Sequence, residues 1–272
     1  MKSIVIPIYN QHEITKECIE AVCRHTDDFE LVLVDNGSSN PLSFIHVPEI
    51  EAALKEFGEC DGQPIVGNLA VDDRLIPVKA ILNPANLGFP AAVNQGIKAA
   101  TGETIILLNN DVIVTPAWAD ILEGALSHFD IVSPVTNYCA GVQRVTIGAY
   151  GDVDELAEKS RLYGMKHLDD FQSVSFVIGF CMAFKRSLAD EIGLFDASLW
   201  PCSGEEIDFC LRARAAGKTA VVARGCYVHH EGSQTFQAMQ EAGQLDYLAI
   251  VNRNDKHLAE KWGDDFWERQ VA

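Results

Sequence analysis

Thr104-Ile-Ile-Leu-Leu108 runs directly into Asn109-Asn110-Asp111 and then returns to Val112-Ile-Val114. The apolar, β-branched half predicts a buried strand, and the carboxylate flanked by amides predicts what lies at its end. In open α/β sheets ligands bind outside the carboxyl ends of strands, and a hard divalent cation is held by one or two carboxylates together with substrate phosphates. Asp111 is therefore the first candidate for a metal-diphosphate site. The competing reading is a loop-capping Asp after a core strand.

The chain on either side supports that strand with an alternating pattern. Ser3-Ile-Val-Ile-Pro7 predicts a strand, and residues 15–25 carry Cys18, Ile19, Val22 and Cys23 at helical spacing. Leu31-Val-Leu-Val34 predicts a second strand that ends in the turn formers Asp35-Asn-Gly-Ser-Ser-Asn40. A β-α-β start of this kind predicts a parallel sheet. Lys79-Ala-Ile-Leu82 predicts a third strand, followed by a loop over 83–90 and a helix over 91–100. Segment 41–78, with one helix at 50–57 and then Gly, Asp and Pro, reads as a loosely ordered surface insertion.

Beyond Asp111 the pattern predicts a helix over 116–128, a strand over 131–135 and the polar turn Thr136-Asn137-Tyr138. An apolar block over 174–185 predicts strands lying across the first sheet. A helix beginning near Glu205 stops at Gly217, and a strand from Val221 runs toward His229-His230-Glu231. The expected organisation is one domain over 1–240 and a helical segment over 241–272, with its helix around 247–267.

Composition narrows the function. Among 272 residues 48% are hydrophobic and 22% charged, as in a globular domain with a sizeable core. The formal charge of -18 argues against nucleic acid or an anionic membrane surface as main partner, since both require clustered Lys and Arg. Eight cysteines occur without a C-x-x-C pair, which indicates neither a zinc ribbon nor a thioredoxin-like site. With no leader pattern at the N-terminus, these thiols fit a reducing cytoplasm. No apolar run approaches the roughly 20 residues needed to span a bilayer, which leaves only peripheral membrane contact open.

Further candidates gather near strand and helix ends. Glu205, Glu206 and Asp208 occupy the first turn of their helix, where the dipole alone would favour carboxylates. In a cleft, Glu206 or Asp208 could instead act as general base on a hydroxyl. His229 and His230 are both candidate metal ligands, but neighbours on an extended chain point to opposite sides, so at most one faces the site. The Gly turn at Asn86-Leu-Gly88 could bring backbone N–H groups to phosphate.

Six segments together resemble one family. They are Ser3-Ile-Val-Ile-Pro-Ile-Tyr-Asn10, Leu31-Val-Leu-Val-Asp-Asn-Gly-Ser-Ser39, Asn86-Leu-Gly-Phe-Pro-Ala-Ala-Val-Asn94, Leu107-Leu-Asn-Asn-Asp111, Glu205-Glu-Ile-Asp-Phe-Cys-Leu-Arg212 and His229-His-Glu-Gly-Ser-Gln-Thr-Phe236. In this order they resemble the family 2 glycosyltransferases of the GT-A fold used in bacterial surface-glycan synthesis. That resemblance implies an α/β architecture: a mostly parallel sheet flanked by helices, with a smaller second sheet near the active site.

It also implies roles. Pro7, Tyr9 and Asn10 would hold the base and ribose, with Asp35 accepting a hydrogen bond from the base. Asn86, Gly88, Asn94, Asn109 and Asn110 would line the nucleotide-sugar site. Asn109-x-Asp111 matches the family's D-x-D, so Asp111 would bind Mg2+ or Mn2+, with His230 or His229 as further ligand. Glu205-Glu206 matches the family's Glu-Asp pair, whose second member looks like the base, while Asn137 and Glu205 would serve the acceptor.

The sequence departs from the family at two of these positions. Asn109 cannot supply the charge of the usual Asp, and Glu206 is one methylene longer than the usual Asp, which keeps Asp208 open as the base. The implied reaction is inverting transfer of a sugar from a nucleoside diphosphate donor to a hydroxyl of a glycan or lipid-linked glycan. A degenerate nucleotide-sugar-binding module and a sugar nucleotidyltransferase are the alternatives.

Overall fold

In the computed structural model the described residues are 1–57, 63–232, 234–241, 243 and 245–266. The chain opens with strand β1 (Lys2–Ile8), helix α1 (His12–His25), β2 (Phe29–Asp35) and α2 (Pro48–Phe57). An edge hairpin follows, β3 (Ile65–Val71) and β4 (Arg74–Leu82), then α3 (Phe89–Ala99), β5 (Thr104–Leu108) and the two-residue β6 (Val112–Ile113). The second half comprises α4 (Trp118–Ala125), β7 (Ile131–Thr136), α5 (Val153–Lys166), β8 (Phe171–Val174), β9 (Cys181–Lys185) and α6 (Arg186–Ile192). It ends with α7 (Glu205–Ala215), β10 (Ala220–His230), α8 (Gln234–Glu241) and α9 (Tyr247–Trp262).

These strands form a mixed sheet in the order β3-β4-β2-β1-β5-β9-β7-β10-β6, with β8 also on β10. The expected parallel character is concentrated in β4-β2-β1-β5, whose three pairings are all parallel. Every residue of β1, β2 and β5 is buried, which accounts for their continuous rather than alternating apolar runs. Helix α3 lies directly on β1 because Gly96 lacks a side chain: a Cβ there would come within 2.3 Å of Val5 Cγ1. This block aligns the ends of β1, β2 and β5 along one rim. At the far side β9 enters antiparallel between β5 and β7, and β10 crosses back to pair with β6.

Segment 41–78 is more integral than expected. Leu42, Ile45, Val47 and Ile50 are buried in the main core, and β3 and β4 extend the sheet around a turn at Asp72, whose φ is 50°. Gly67, Asp72 and Asp73 belong to this hairpin rather than to a loose loop, while residues 58–62 lie outside the described residues. Helix α5 was not legible as a helix, although Asp152 caps it by accepting from the backbone N–H groups of Asp154 and Glu155. The expected C-terminal helix is α9; Trp267, its expected end, lies outside the described residues.

The base of the parallel block is tied by one buried carboxylate. Glu30 Oε1 accepts from Ser3 Oγ at 2.6 Å and Thr101 Oγ1 at 2.8 Å, and Oε2 lies 2.9 Å from Lys79 Nζ. Burial opposes its charge, but these donors outweigh that and pull its pKa down to about 2.

Candidate active site

A cleft with a volume of about 110 Å3 opens at the carboxyl rim of β1, β2 and β5. Its walls bring together Pro7 and Tyr9 after β1, Asn36 after β2, Asn86 before α3, and Asn109, Asn110 and Asp111 after β5. His230 from the end of β10 and Pro201 from the loop before α7 complete the opposite side, and Met239 on α8 reaches in from above.

The acidic end is built by two strands that meet. β6 pairs antiparallel with β10 so that His230 lies opposite Val112, and the Glu231 N–H donates to the Asp111 carbonyl at 3.0 Å. Asp111 Oδ1 and His230 Nε2 then face each other at 3.2 Å, both buried and neither in an aligned hydrogen bond. Tyr138 O sits 2.8 Å from His230 Nδ1, and a carbonyl can only accept, so Nδ1 carries a proton and Nε2 is the nitrogen turned to Asp111. Burial disfavours the charged ring, yet the Asp111 carboxylate outweighs it and raises the His230 pKa. Asn109 Oδ1 is likewise buried without a hydrogen-bond partner.

These unpaired acceptors fit a divalent cation that takes its remaining ligands from a diphosphate. Among the described residues no group of three or more His, Cys, Asp or Glu side chains could hold a metal, so the protein supplies at most a partial set. Strand alternation separates the two histidines as expected. His229 points to the other face, with Nδ1 2.5 Å from the Tyr150 hydroxyl and Nε2 2.9 Å from Glu231 Oε1.

Several expected residues build the cleft rather than face it. Asp35 is fully buried, its Oδ1 accepting from Ser38 N at 2.8 Å and its Oδ2 from Leu42 N at 3.2 Å; burial raises its pKa. Asn10 Oδ1 accepts from Ser39 N and Oγ, which fastens the β1 turn to the β2 turn. Asn94 spends its whole amide on Phe195, donating to its carbonyl at 2.8 Å and accepting from its N–H at 2.9 Å. Asn110 lines the cleft while its amide donates to Thr15 Oγ1 on α1 at 2.8 Å.

Asn137 and Asp208 need correction. The Asn137 amide accepts from His230 N at 2.8 Å and donates to His230 O at 3.0 Å, so it positions the histidine instead of offering itself to an acceptor. Asp208 is fully buried and saturated: Arg212 Nε lies at 2.8 Å, Lys261 Nζ at 2.7 Å and Trp262 Nε1 at 3.0 Å. Fully buried and enclosed by these three donors, Asp208 has no face open to an acceptor hydroxyl, which sets it apart from the cleft.

Glu206 is partly exposed in the first turn of α7, after Gly204 at φ 93°. Gly179 packs against it: a Cβ there would lie 3.2 Å from Glu206 Cβ and 3.3 Å from Cγ. The next residue, Phe180, stacks on the His230 ring at 5.4 Å and accepts the Asn109 N–H through its carbonyl at 2.9 Å. The Gly179-Phe180 step thus joins the carboxylate to the Asp111–His230 pair. Burial raises the Glu206 pKa, and burial together with the Glu206 charge raises that of Glu205 further, whose Oε2 is buried and unpartnered. Two such carboxylates side by side do not both ionise readily, and of the two Glu206 is the one partly exposed.

The sequence reading missed Asn36. Its amide donates to Asn86 Oδ1 at 2.9 Å and Gly88 O at 3.2 Å, and its oxygen accepts from Asn83 Nδ2 at 3.0 Å and Leu87 N at 3.1 Å. Asn83 and Gln95 exchange hydrogen bonds at 2.8 and 2.9 Å. The only signal was an Asn after a strand, which any turn can carry. Gly179-Phe180 carried no signal at all, because its importance lies in two contacts distant in sequence.

A strand-end cleft with a carboxylate–imidazole pair, on this sheet order, defines a GT-A architecture. The solved structure of GalNAc-T7 with UDP, GalNAc and Mn2+ superposes with a TM-score of 0.65 at 17% identity, covering 98% of this chain and 50% of that one. The chain belongs to glycosyl transferase family 2, which it matches over residues 3–46 and 65–193. The O-antigen biosynthesis protein RfbC of Myxococcus xanthus is 25% identical over 91% of this chain, which spans 19% of RfbC. The uncharacterized glycosyltransferase EpsJ of Bacillus subtilis (strain 168) is 26% identical over 92% of this chain and 68% of its own length.

Proposed function

We propose that the chain transfers a glycosyl group from a nucleoside diphosphate sugar to a hydroxyl of a glycan or lipid-linked glycan, with inversion at the anomeric carbon. The observation that carries this reading is the facing pair of unpaired buried atoms, Asp111 Oδ1 and His230 Nε2, in the cleft at the strand ends. The UDP and Mn2+ in GalNAc-T7 support the donor class and the metal, and the name of RfbC supports a surface-glycan acceptor.

Pro7 and Tyr9 would hold the base and ribose, and Asn36 with Asn86 would shape the wall along the donor. Asp111 and His230 would hold Mg2+ or Mn2+, with Asn109 Oδ1 beside them. When bound, the cation supplies positive charge that stabilises the departing diphosphate. Glu206 takes the proton of the acceptor hydroxyl as its oxygen bonds to the anomeric carbon, and the bond from that carbon to the diphosphate oxygen breaks. Its raised pKa brings it nearer neutrality, where a general base is most effective. Among the described residues no helix is long and apolar enough to cross a membrane; we place the reaction on the cytoplasmic side, with peripheral contact where the acceptor is lipid-linked.

The test is a panel of nucleoside diphosphate sugars, with Mn2+ or Mg2+ and with EDTA, following nucleoside diphosphate release in the presence of glycan acceptors. Metal-dependent release from one donor, lost in both Asp111→Ala and Glu206→Gln, is the expected result. Donor binding without release under every condition would replace the transferase by a binding module, and release of pyrophosphate would indicate a nucleotidyltransferase.

A further inference from the structure

Helix α9 carries a polar residue at the centre of its buried face. Asn254 is 1% exposed and Leu258 fully buried, whereas flanking Arg253, Lys256 and His257 are exposed. A buried amide in a helix interior is retained only where it meets partners that an apolar side chain would leave unsatisfied. Asn254 Nδ2 shares its two hydrogens among three backbone carbonyls of one loop, Leu199 at 3.2 Å, Cys202 at 2.8 Å and Ser203 at 2.9 Å. The Arg253 guanidinium bonds the Trp200 carbonyl of the same loop and, at 2.9 Å, Asn254 Oδ1.

The grip continues along the helix. Leu258 fills the space beside Gly204, where a Cβ would come within 2.7 Å of Leu258 Cδ1, and Lys261 and Trp262 hold Asp208. Three turns of α9 therefore fasten 199–208, the stretch that carries Pro201 into the cleft wall and Glu206 onto the first turn of α7. Pro201 O in turn accepts the Phe89 N–H at 2.6 Å, so the same loop borders the donor side. An irregular loop has no ladder to occupy its carbonyls, and α9 supplies the donors that a neighbouring strand would have given.

We infer that Asn254 and Arg253 form a clamp that positions Glu206: the placement of the base is set by a helix about fifty residues further along the chain. Asn254 is a positioning residue and touches no reactant. The inference rests on the assignment of Glu206 as base only for its effect on turnover, not for its effect on the loop.

Two variants test it in the full chain. Asn254→Leu keeps the volume and removes the donors; Arg253→Leu acts at the exposed surface, where it leaves the core intact. Hydrogen exchange of the peptide over 199–206 and of the Phe89 amide reads the loop, calorimetric binding of UDP or GDP with Mn2+ reads the nucleotide end, and kcat reads the base. Both variants are expected to speed loop exchange and to lower kcat by about tenfold or more, as small misplacements of a reacting group do, with nucleotide binding changed by less than about twofold. Exchange equal to that of wild type in folded variants would overturn the clamp, and faster exchange with full kcat would overturn its link to Glu206. A wild type that turns over no donor would instead sink the transferase reading, while loop exchange would still decide the clamp.

Discussion

Replacing Glu30 by Gln is expected to destabilise the fold in a way that depends on pH. The Glu30 side chain is 3% exposed, yet three hydroxyl or ammonium donors from β1, β4 and the turn before β5 converge on it. Its pKa falls from 4.5 to about 2, and 2.5 units correspond to an upper figure of about 3 kcal/mol at 1.36 kcal/mol per unit. Because the folded pKa lies below the unfolded one, this stability is complete above about pH 5.5 and declines as pH falls from about 4.5 toward 2. Linkage gives a loss of about 1 kcal/mol by pH 4 and about 2 kcal/mol by pH 3.

The measurement is urea unfolding of wild type and Glu30→Gln at pH 7, 4 and 3. Other carboxylates titrate alike in both chains, so the difference isolates Glu30. At pH 7 the variant should be less stable by about 2–3 kcal/mol, and the gap should narrow by the amounts above. A gap that stays constant across that range would refute the reasoning, because it would assign the loss to packing rather than to charge.

Gly179→Ala would place a methyl within 3.2 Å of Glu206 Cβ and is expected to lower kcat about tenfold while UDP or GDP binding with Mn2+ is retained. Unchanged kcat in transfer assays would show that the Glu206 carboxylate does not depend on this contact. Asp208→Ala leaves Lys261 and Arg212 without their shared buried partner and is expected to cost about 3 kcal/mol in denaturant titrations. The acid limb of kcat/KM against pH should not move in that variant; a shifted limb would return Asp208 to the list of bases.

The fold was legible where one sequence segment carried its own cause. β1, β2 and β5 are buried on both faces and so appear as unbroken apolar runs, and α7 announces itself by three acidic residues at its start and Gly217 at its end. β3 was hidden because an edge strand half open to solvent tolerates Gly67 and Asn68 inside it. At the site, the meeting of Asp111 and His230 was readable because each stands at a strand end, and alternation left only one of the two histidines on the cleft side. Asp208 was misread because its partners, Lys261 and Trp262, lie more than fifty residues away. Asn137 was misread for the same reason: its partner is the His230 backbone.

The amides behind the donor wall have a direction. Asn83, locked to Gln95 on α3, donates to Asn36, and Asn36 donates onward to Asn86 Oδ1, which also takes the Gly88 N–H at 2.9 Å. Asn83 gives one hydrogen back to Gln95 and the other to Asn36, and Asn36 passes its own on to Asn86, so reversing Asn36 would set acceptor against acceptor at Asn86. Asn86 lines the cleft with its oxygen already occupied by Asn36 and Gly88. At Asn86 the side chain has only hydrogens left to offer, and a group lying against it is asked for a carbonyl, hydroxyl or phosphate oxygen.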